Sequence, residues 1–439
     1  MSECSHGWLG IGPGEWRFEA AGRCRLAGGP RCADCRCELR LASSVVRVTD
    51  AAKSADPEVL FDDRVRVARL PGTRSETAPQ MLQRMGGQYW DDVRSTMNRW
   101  FDHVPPTERG KLRGKLLGKD SRQFRSAFWE LFLHETFICA GFEVVMEGKA
   151  PASERRPDFR ITKGNESWYV EARLADKAPN PGALQRVNRA LDLIDAVKGG
   201  GWVVNVNVER IGPSDLRKAT LEAPIRSWID TLDAGAGTEG LLIGEQGWKI
   251  HLLPMLKSHD PAWIDKRLIG TLSTSLDHWP GTAEDIKKAL RDKTHAYGRL
   301  DAPLIIALVA GGNPNELDVT DALYGDLQLS VTWTDPGTET TFSRKTNGQW
   351  YRGTEWANPH VAGVLIGRQV DPTTIATIVP TMWRHPAEET EVPQTRAWRY
   401  AEPLNGEVVF REPVIHSRGL FGLPDEWCTT PLYDYDAPI

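Results

Sequence analysis

The chain has 439 residues, of which 40% are hydrophobic and 26% charged, and its formal net charge is −5. This length suffices for two or three domains with real cores, and the acidic total excludes a polycation that coats nucleic acid without selectivity. No apolar run approaches the ~20 residues of a membrane span, and no basic-then-apolar secretion signal opens the chain, so we expect a cytoplasmic protein without membrane contact.

The first 75 residues are predicted to be a flexible N-terminal extension. Residues 1–75 are rich in Gly, Arg and Ala and show little periodicity. Residues 32–37 form C-x-x-C-x-C, and Cys4 and His6 are further candidate zinc ligands. A second pair at zinc-finger spacing is missing, so we favour incidental cysteines over a zinc site.

Residues 76–235 are predicted to form the core of the protein. A helical pattern runs from Pro79 to Val104, where Pro105-Pro106 ends it. The stretch SAFWELFLHETFICAGF predicts a second amphipathic helix with Gly141 as its C-cap. The residues from Phe142 to Met146 then begin the first strand.

The stretch RPDFRITKGNESWYVEARLA, residues 156–175, predicts a β-hairpin. Two apolar runs flank a Lys-Gly-Asn-Glu segment that suits a tight turn. Asp158 would begin one strand, and Glu171 would lie on its neighbour. Because like charges repel each other, two adjacent carboxylates favour a divalent cation between them, with a surface hairpin of solvated charges as the alternative.

After the hairpin, helices and strands alternate. Helices are predicted at 182–198, 214–233 and 283–297, and strands at 202–208, 240–244, 248–253, 304–310 and 361–366. Residues 236–439 are predicted to extend the sheet and then to form an irregular C-terminal cap rich in Pro and Trp. The whole order is typical of an α/β fold with a mixed central sheet between helices and an extended C-terminal α/β region.

Four charged residues suit metal-assisted hydrolysis of a phosphodiester. Mg²⁺ takes oxygen ligands, lowers the pKa of a bound water and neutralises charge on the phosphate. Asp158 and Glu171 can supply two carboxylates, and Glu130 on the preceding helix a third, with Glu135 as its competitor. Arg173 lies two residues beyond Glu171, on the same face of the strand, where a cation would stabilise developing charge.

This order of a helix acid, Pro-Asp, a hairpin and E-x-R resembles the PD-(D/E)XK nuclease superfamily between Phe124 and about Val208. The resemblance implies a restriction endonuclease-like sheet and cleavage of nucleic acid with Mg²⁺ or Mn²⁺. It also implies catalytic and metal-binding roles for Glu130, Asp158 and Glu171. The chain is similar, too, to bacterial proteins of actinobacterial type in which the third motif position varies. The stretches KTHAYGRLDAPLIIALV and DALYGDL carry that similarity.

Arg173 falls where the family pattern has Lys. Arginine keeps the charge, but it is not a compact ammonium and cannot release its proton at working pH. Arg173 would therefore serve for charge stabilisation but not for proton transfer, and Lys149 or Lys177 are candidate substitutes. The alternative function is a catalytically inactive protein of nuclease fold that binds nucleic acid or a protein partner.

Basic residues before the second helix and on the helix after the hairpin are candidate contacts for phosphate groups, with a solvated charged face as the alternative. The candidates are Lys115, Lys119, Arg122, Arg125, Arg186 and Arg189. We expect DNA rather than RNA as the partner. His134, which lies near Glu130 and Glu135, is expected to pack or to face solvent rather than to bind metal.

Overall fold

The protein is represented by a computed structural model. It describes residues 59–68, 72–151, 154–175, 181–233, 239–256, 267–274, 283–310, 314–334, 337–353, 355–387, 391–404 and 407–428. The expected N-terminal extension lies mostly outside these residues, and the candidate zinc ligands lie wholly outside them. The described residues all belong to one compact unit, Ala55–Ile439.

The described helices and strands alternate along most of the chain. The helices are α1 (Ala78–Arg84), α2 (Gln88–His103), α3 (Pro106–Leu116), α4 (Ser121–Cys139), α5 (Pro181–Asp195), α6 (Lys218–Ile229), α7 (Ala283–Thr294), α8 (Glu316–Tyr324) and α9 (Ser417–Leu420). The strands are β1 (Glu143–Met146), β2 (Phe159–Lys163), β3 (Glu166–Ala175), β4 (Trp202–Arg210), β5 (Leu241–Ile243), β6 (Lys249–Leu256), β7 (Ile269–Thr274), β8 (Leu304–Ala310), β9 (Leu327–Thr334), β10 (Gly337–Arg344), β11 (Val361–Gly367), β12 (Thr381–Arg384), β13 (Arg399–Leu404) and β14 (Glu407–Arg411). Among the described helices, none is both long and apolar enough for a membrane span.

A mixed sheet of eight strands organises the molecule, in the order β1-β2-β3-β8-β11-β12-β13-β14. The first three strands are antiparallel, as the hairpin prediction required, and β3 then pairs in parallel with β8. The predicted hairpin is confirmed, with Gly164 in the left-handed region at φ 61° in its turn. The fold is therefore mixed α/β, with helices flanking a large sheet.

Helices cover both faces of this sheet. On β3, Val170 and Ala172 face the apolar cluster that includes helices α1–α4, while Tyr169 faces the cluster that includes α7 and α8. The neighbouring strand β8 alternates in the same way, and all seven of its residues are buried. Burial on both faces explains why β8 is a continuous apolar run.

A second sheet of four strands, in the order β5-β6-β4-β7, has its own apolar core together with α5 and α6. This α5–β7 module lies in the chain between β3 and α7, both of which pack in the larger sheet and its flanking layers. The predicted domain boundary at residue 235 falls between β4 and β5, which share the smaller sheet.

The predicted single helix from Pro79 to Val104 is wrong. The structure has two helices there, because Gly87 adopts φ 102° and precedes the first residue of α2. The backbone leaves the helical conformation at Met85, with ψ 132°, and glycine at position 87 allows the positive φ that precedes α2. The apolar spacing continues on both sides of the break, which explains why the pattern suggested one helix.

The prediction of an irregular cap after residue 366 is also wrong. Three strands, β12 to β14, extend the main sheet beyond β11. β12 has only four residues and β13 includes Pro403, so their sequences lack the regular alternation of a strand.

Glycine at position 367 permits close packing of a helix on the sheet. A Cβ there would lie 2.9 Å from Cη2 of Trp129, a ring that is fully buried and whose Nε1–H donates to the Ala307 carbonyl. We expect Gly367→Ala to lower the free energy of unfolding by about 1–3 kcal/mol. The matched control is Gly114→Ala on α3, where nothing lies within 4 Å and the helix should gain roughly 0.5–1 kcal/mol. Urea unfolding measures both, and equal effects would contradict this account.

Candidate active site

The hairpin brings Asp158 and Glu171 to neighbouring positions. Phe159 pairs with Val170 across the two strands, so Asp158 lies at the start of β2, beside the Glu171 segment. The backbone N–H of Ala172 donates to Oδ2 of Asp158 at 2.7 Å. This hydrogen bond fixes one oxygen of the carboxylate and leaves the other available.

Asp158 is partly buried near two other carboxylates. Its burial, and then the charges of Glu171 and Glu130, raise its pKa well above the ordinary value, while the Ala172 N–H and Lys293 oppose that rise. Three carboxylates from three segments of the chain therefore interact at this position. Such an arrangement is typical of a functional site, since it does not stabilise the fold.

Glu171 is held by a helix far along the chain. Its side chain is buried, and its two carboxylate oxygens contact the ammonium of Lys293 and the hydroxyl of Tyr297. Lys293 lies on α7, and Tyr297 lies just beyond its end. Burial and the charge of Glu171 raise the pKa of Tyr297, so this residue remains a neutral donor.

Glu130 is the third carboxylate, and its charge also acts on Asp158. Nζ of Lys115 contacts both its oxygens at 3.0 and 3.2 Å, and Ser126 Oγ donates at 3.4 Å. Together with Glu147, Asp158 and Glu130 line a small cavity, the acidic crevice, against one face of α3. Lys111 on that face pairs with Glu147 and lowers the pKa of its carboxyl.

Glu135 does not belong to this site. Its side chain is buried on the α2 side of the helix, where Oε2 contacts Nδ1 of His103 at 2.7 Å. Glu130, and not its competitor, therefore accompanies Asp158. His134 is buried against Phe159, and burial lowers its pKa to about 4, in agreement with the packing role expected for it.

Arg173 is exposed and, within the described part of the chain, makes no hydrogen bond or ion pair. Its catalytic role stays a prediction, but the cations beside the carboxylates are Lys293 and Lys115. Of the two substitutes considered for Arg173, Lys149 is exposed and Lys177 lies outside the described residues.

The candidate phosphate contacts divide into two groups. Lys119, Arg122 and Arg125 line one cleft of about 370 Å³ between the start of α4 and α5. The others have partners within the protein: Lys115 contacts Glu130, Arg186 donates to the Gly212 carbonyl, and Arg189 pairs with Asp215.

The donor set suits a hard divalent cation, although among the described residues no three His, Cys, Asp or Glu side chains are arranged to hold one. Mg²⁺ is usually bound by one or two carboxylates, with water and substrate phosphate in its remaining positions. Asp158 and Glu171 are two carboxylates on neighbouring segments, and in this structure Lys293 and Tyr297 contact the two oxygens of Glu171. The negative charge that raises the pKa of Asp158 is the charge that a cation would compensate.

Sequence reasoning missed the roles of Lys293 on α7 and of Tyr297 just beyond it, and gave no role to Glu147. Lys293 and Tyr297 both belong to the stretch KTHAYGRLDAPLIIALV, which carries similarity to other proteins but suggested no chemistry. Lys293 and Tyr297 are four residues apart, and residues at this spacing lie on the same side of a helical turn. This spacing is the sequence signal that the two side chains act on one group.

Replacing Asp158 by Asn tests whether folding raises the pKa of this carboxyl. Because the pKa of Asp158 is raised by folding, its favourable contribution to stability is complete below about pH 4 and is lost as the pH rises toward the folded pKa. The Asn side chain keeps an oxygen for the Ala172 N–H. We therefore expect Asp158→Asn to be more stable than the natural protein near neutral pH by roughly 0.5–2 kcal/mol, with a smaller difference in acid.

Asp301→Asn is the control of opposite sign. A hydrogen bond from the Tyr169 hydroxyl, with help from Arg160, lowers the pKa of Asp301. Its contribution is present above the ordinary carboxyl pKa and is lost as the pH falls through the folded value. This variant should be less stable at neutral pH, with the loss vanishing in acid. Denaturant unfolding over a pH series measures both variants, and parallel profiles would contradict the assignment.

Comparison of the chain with models of known protein families, with curated proteins and with solved structures finds no match.

Proposed function

We propose that this protein is a metal-dependent nuclease that hydrolyses phosphodiester bonds of nucleic acid, with DNA as the substrate, on a restriction endonuclease-like fold. The observation that carries the proposal is the convergence of Glu130, Asp158 and Glu171. They come from α4, the start of β2 and the middle of β3, and yet the charges of Glu130 and Glu171 both act on Asp158. Structural carboxylates normally avoid such an arrangement, since it costs stability.

Each of the two central carboxylates has a support that orients it. The Ala172 N–H holds Asp158, while Tyr297 and Lys293 hold Glu171. A bound Mg²⁺ or Mn²⁺ would supply an activated water and would neutralise charge on the phosphate. Supports of this kind keep donor groups close to the geometry that the reaction needs.

The resemblance to the nuclease superfamily implies a cation at the position of Arg173. Two lysines elsewhere in the chain supply positive charge at the carboxylates instead. Nζ of Lys293 and Nζ of Lys115 already lie at the carboxylates, whereas the Arg173 side chain faces solvent. An ammonium group at either position would stabilise negative charge that develops on a phosphate.

One helix connects the acidic residues with the cleft that contains three basic candidates. Arg122, Ser126 and Glu130 follow one another at intervals of four residues on α4, so they share one side of the helix. At 1.5 Å per residue, Arg122 lies about 12 Å along the axis from Glu130. That span corresponds to roughly three or four nucleotides of one strand, so a strand cut at the crevice would extend to the basic cleft.

The second candidate function is binding of nucleic acid without cleavage. The ion pairs Lys115–Glu130 and Lys293–Glu171 favour it, because they compensate two of the three carboxylates without a metal. The two functions differ in one requirement, since only the nuclease needs a cation at Asp158.

Removal of the central carboxylates should abolish cleavage. We expect Asp158→Asn and Glu171→Gln each to lower the cleavage rate by about a hundredfold or more with Mg²⁺ or Mn²⁺, because each removes an anionic oxygen donor. Gel assays on single-stranded and double-stranded DNA and RNA measure this rate. Glu166→Gln, at the exposed start of the same strand, is the matched control and should retain full activity.

Two outcomes would overturn the nuclease proposal. If Glu171→Gln retained activity, the cleavage would come from elsewhere. If the natural protein bound nucleic acid but cut none of the substrates, binding without cleavage would be established instead.

The source of the positive charge can be tested separately. We expect Lys115→Met and Lys293→Met each to slow cleavage by about tenfold or more, and Arg173→Met to change it by less than about threefold. Circular dichroism controls for folding of Lys293→Met, since this change leaves the buried Glu171 with fewer partners. A loss in Arg173→Met as large as in the two lysine variants would restore the motif position as the catalytic cation.

A further inference from the structure

Strands β9 and β10 form a two-stranded sheet of their own, which we call the arm. Leu329 pairs with Phe342, and Val331 pairs with Thr340, so these side chains share one face. That face carries the large apolar residues of the arm, all exposed: Leu327 (46%), Leu329 (54%), Val331 (46%), Trp333 (83%) and Phe342 (66%). The other face is polar and also exposed, with Gln328, Ser330, Thr332, Glu339, Thr341 and Ser343.

The apolar face of the arm is expected to pack against another surface. A two-stranded sheet is marginally stable in water unless its hydrophobic face packs against something else. A contiguous exposed apolar patch on a soluble protein is typical of an interaction site. The alternation is regular along β9, so the large apolar side chains of the arm all lie on one face, which they share with Thr340 and Arg344 of β10.

A cleft of about 820 Å³, the basal cleft, lies where the arm joins the rest of the protein. Arg344, the last residue of β10, lines it and pairs in register with Leu327, the first residue of β9. The remaining walls are mainly apolar or aromatic, and they include Leu317, Tyr351, Trp356, Leu404 and Phe410. Leu317, Trp356 and Leu404 are each close to half exposed.

The charges beside the basal cleft are compensated within the chain. Arg344 pairs with Asp321 at 3.0 Å and donates to the Gly325 carbonyl at 2.6 Å. Glu316 pairs with Arg399, whose guanidinium lies over the ring of Phe410. The cleft therefore fits an uncharged apolar group better than an anion, and nucleic acid is a poor occupant of either the cleft or the arm.

We propose that the arm of a second copy of this chain covers the apolar face and enters the basal cleft. The two copies would form a symmetric dimer in which each arm contacts the other copy in the same way. Eight residues per strand give the arm a length of about 26 Å. If a two-fold axis crosses the middle of the arms, their apolar faces meet and the arms run in opposite directions. Each tip then reaches the base of the other arm. The basal cleft lies at that base, so Trp333 near the tip enters the cleft of the partner copy.

The symmetry and the charges agree with this arrangement. A two-fold interface places the same surface on both sides, so the surface must be complementary to itself. The apolar face of the arm carries no carboxylate among its described side chains, and its one cation, Arg344, is paired. Two such faces meet without repulsion, and Trp333 loses its exposure to water.

Sedimentation equilibrium of the natural protein at micromolar to sub-millimolar concentration tests the dimer. We expect a dimer whose dissociation constant rises by at least about tenfold in Leu329→Glu, because the charge falls in the apolar face. The matched control, Ser330→Glu, places the same charge on the adjacent position of the polar face and should change the constant by less than about threefold. A monomer throughout the range, or equal effects of the two substitutions, would overturn the proposal.

A cross-linking experiment tests the position of the tip. Trp333→Cys and Leu404→Cys are prepared as separate proteins, mixed and oxidised, with the natural protein oxidised in parallel as the control for native thiols. We expect a disulfide-linked dimer only in the mixture of the two variants, because the tip of one copy enters the cleft of the other. A dimer in solution that forms no such link would exclude the reciprocal exchange.

Discussion

The buried carboxylate of Glu171 constrains the rest of this structure. A carboxylate that is 4% exposed in a central strand is costly unless charged or hydrogen-bonding partners compensate it. Its partners are Lys293 and Tyr297, the latter 126 residues further along the chain. The helix α7 must therefore pack on the face of the sheet opposite α4, and β8 must follow it beside β3. The α5–β7 module lies within the intervening chain.

The acidic crevice also explains why the basic residues before α4 do not form one uniform surface. Lys111 and Lys115 lie four residues apart on α3 and contact Glu147 and Glu130. The basic residues around the start of α4 line a separate cleft about two turns of helix from Glu130. One basic stretch of sequence thus has two physical roles, compensation of negative charge at the acidic crevice and display of positive charge to solvent. Composition alone does not separate these roles, because both need the same residue types.

The sequence predicted the local elements of the site and missed its long-range contacts. The hairpin followed from turn chemistry, and the position of Asp158 beside Glu171 followed from the hairpin. Glu130 and Glu135 were both candidates, since five residues on a helix place them on different sides and the sequence does not say which side faces the sheet. Lys293 and Tyr297 could not be predicted, because their contact with Glu171 depends on the order of strands in the sheet, which local patterns do not determine. Gly87 and the short strands near the C-terminus were misjudged for a local reason: a single residue or a few residues decide each one.

The separate apolar core of the α5–β7 module has a consequence for how the protein unfolds. Its contacts with the segment before α1 include polar ones, of Asp192 with Arg74 and Ser75 and of Asp195 with Arg74. Two cores joined in this way need not lose their structure together, so cooperativity can be divided between them. A calorimetric trace would then contain two overlapping transitions, and one melting temperature would describe neither core.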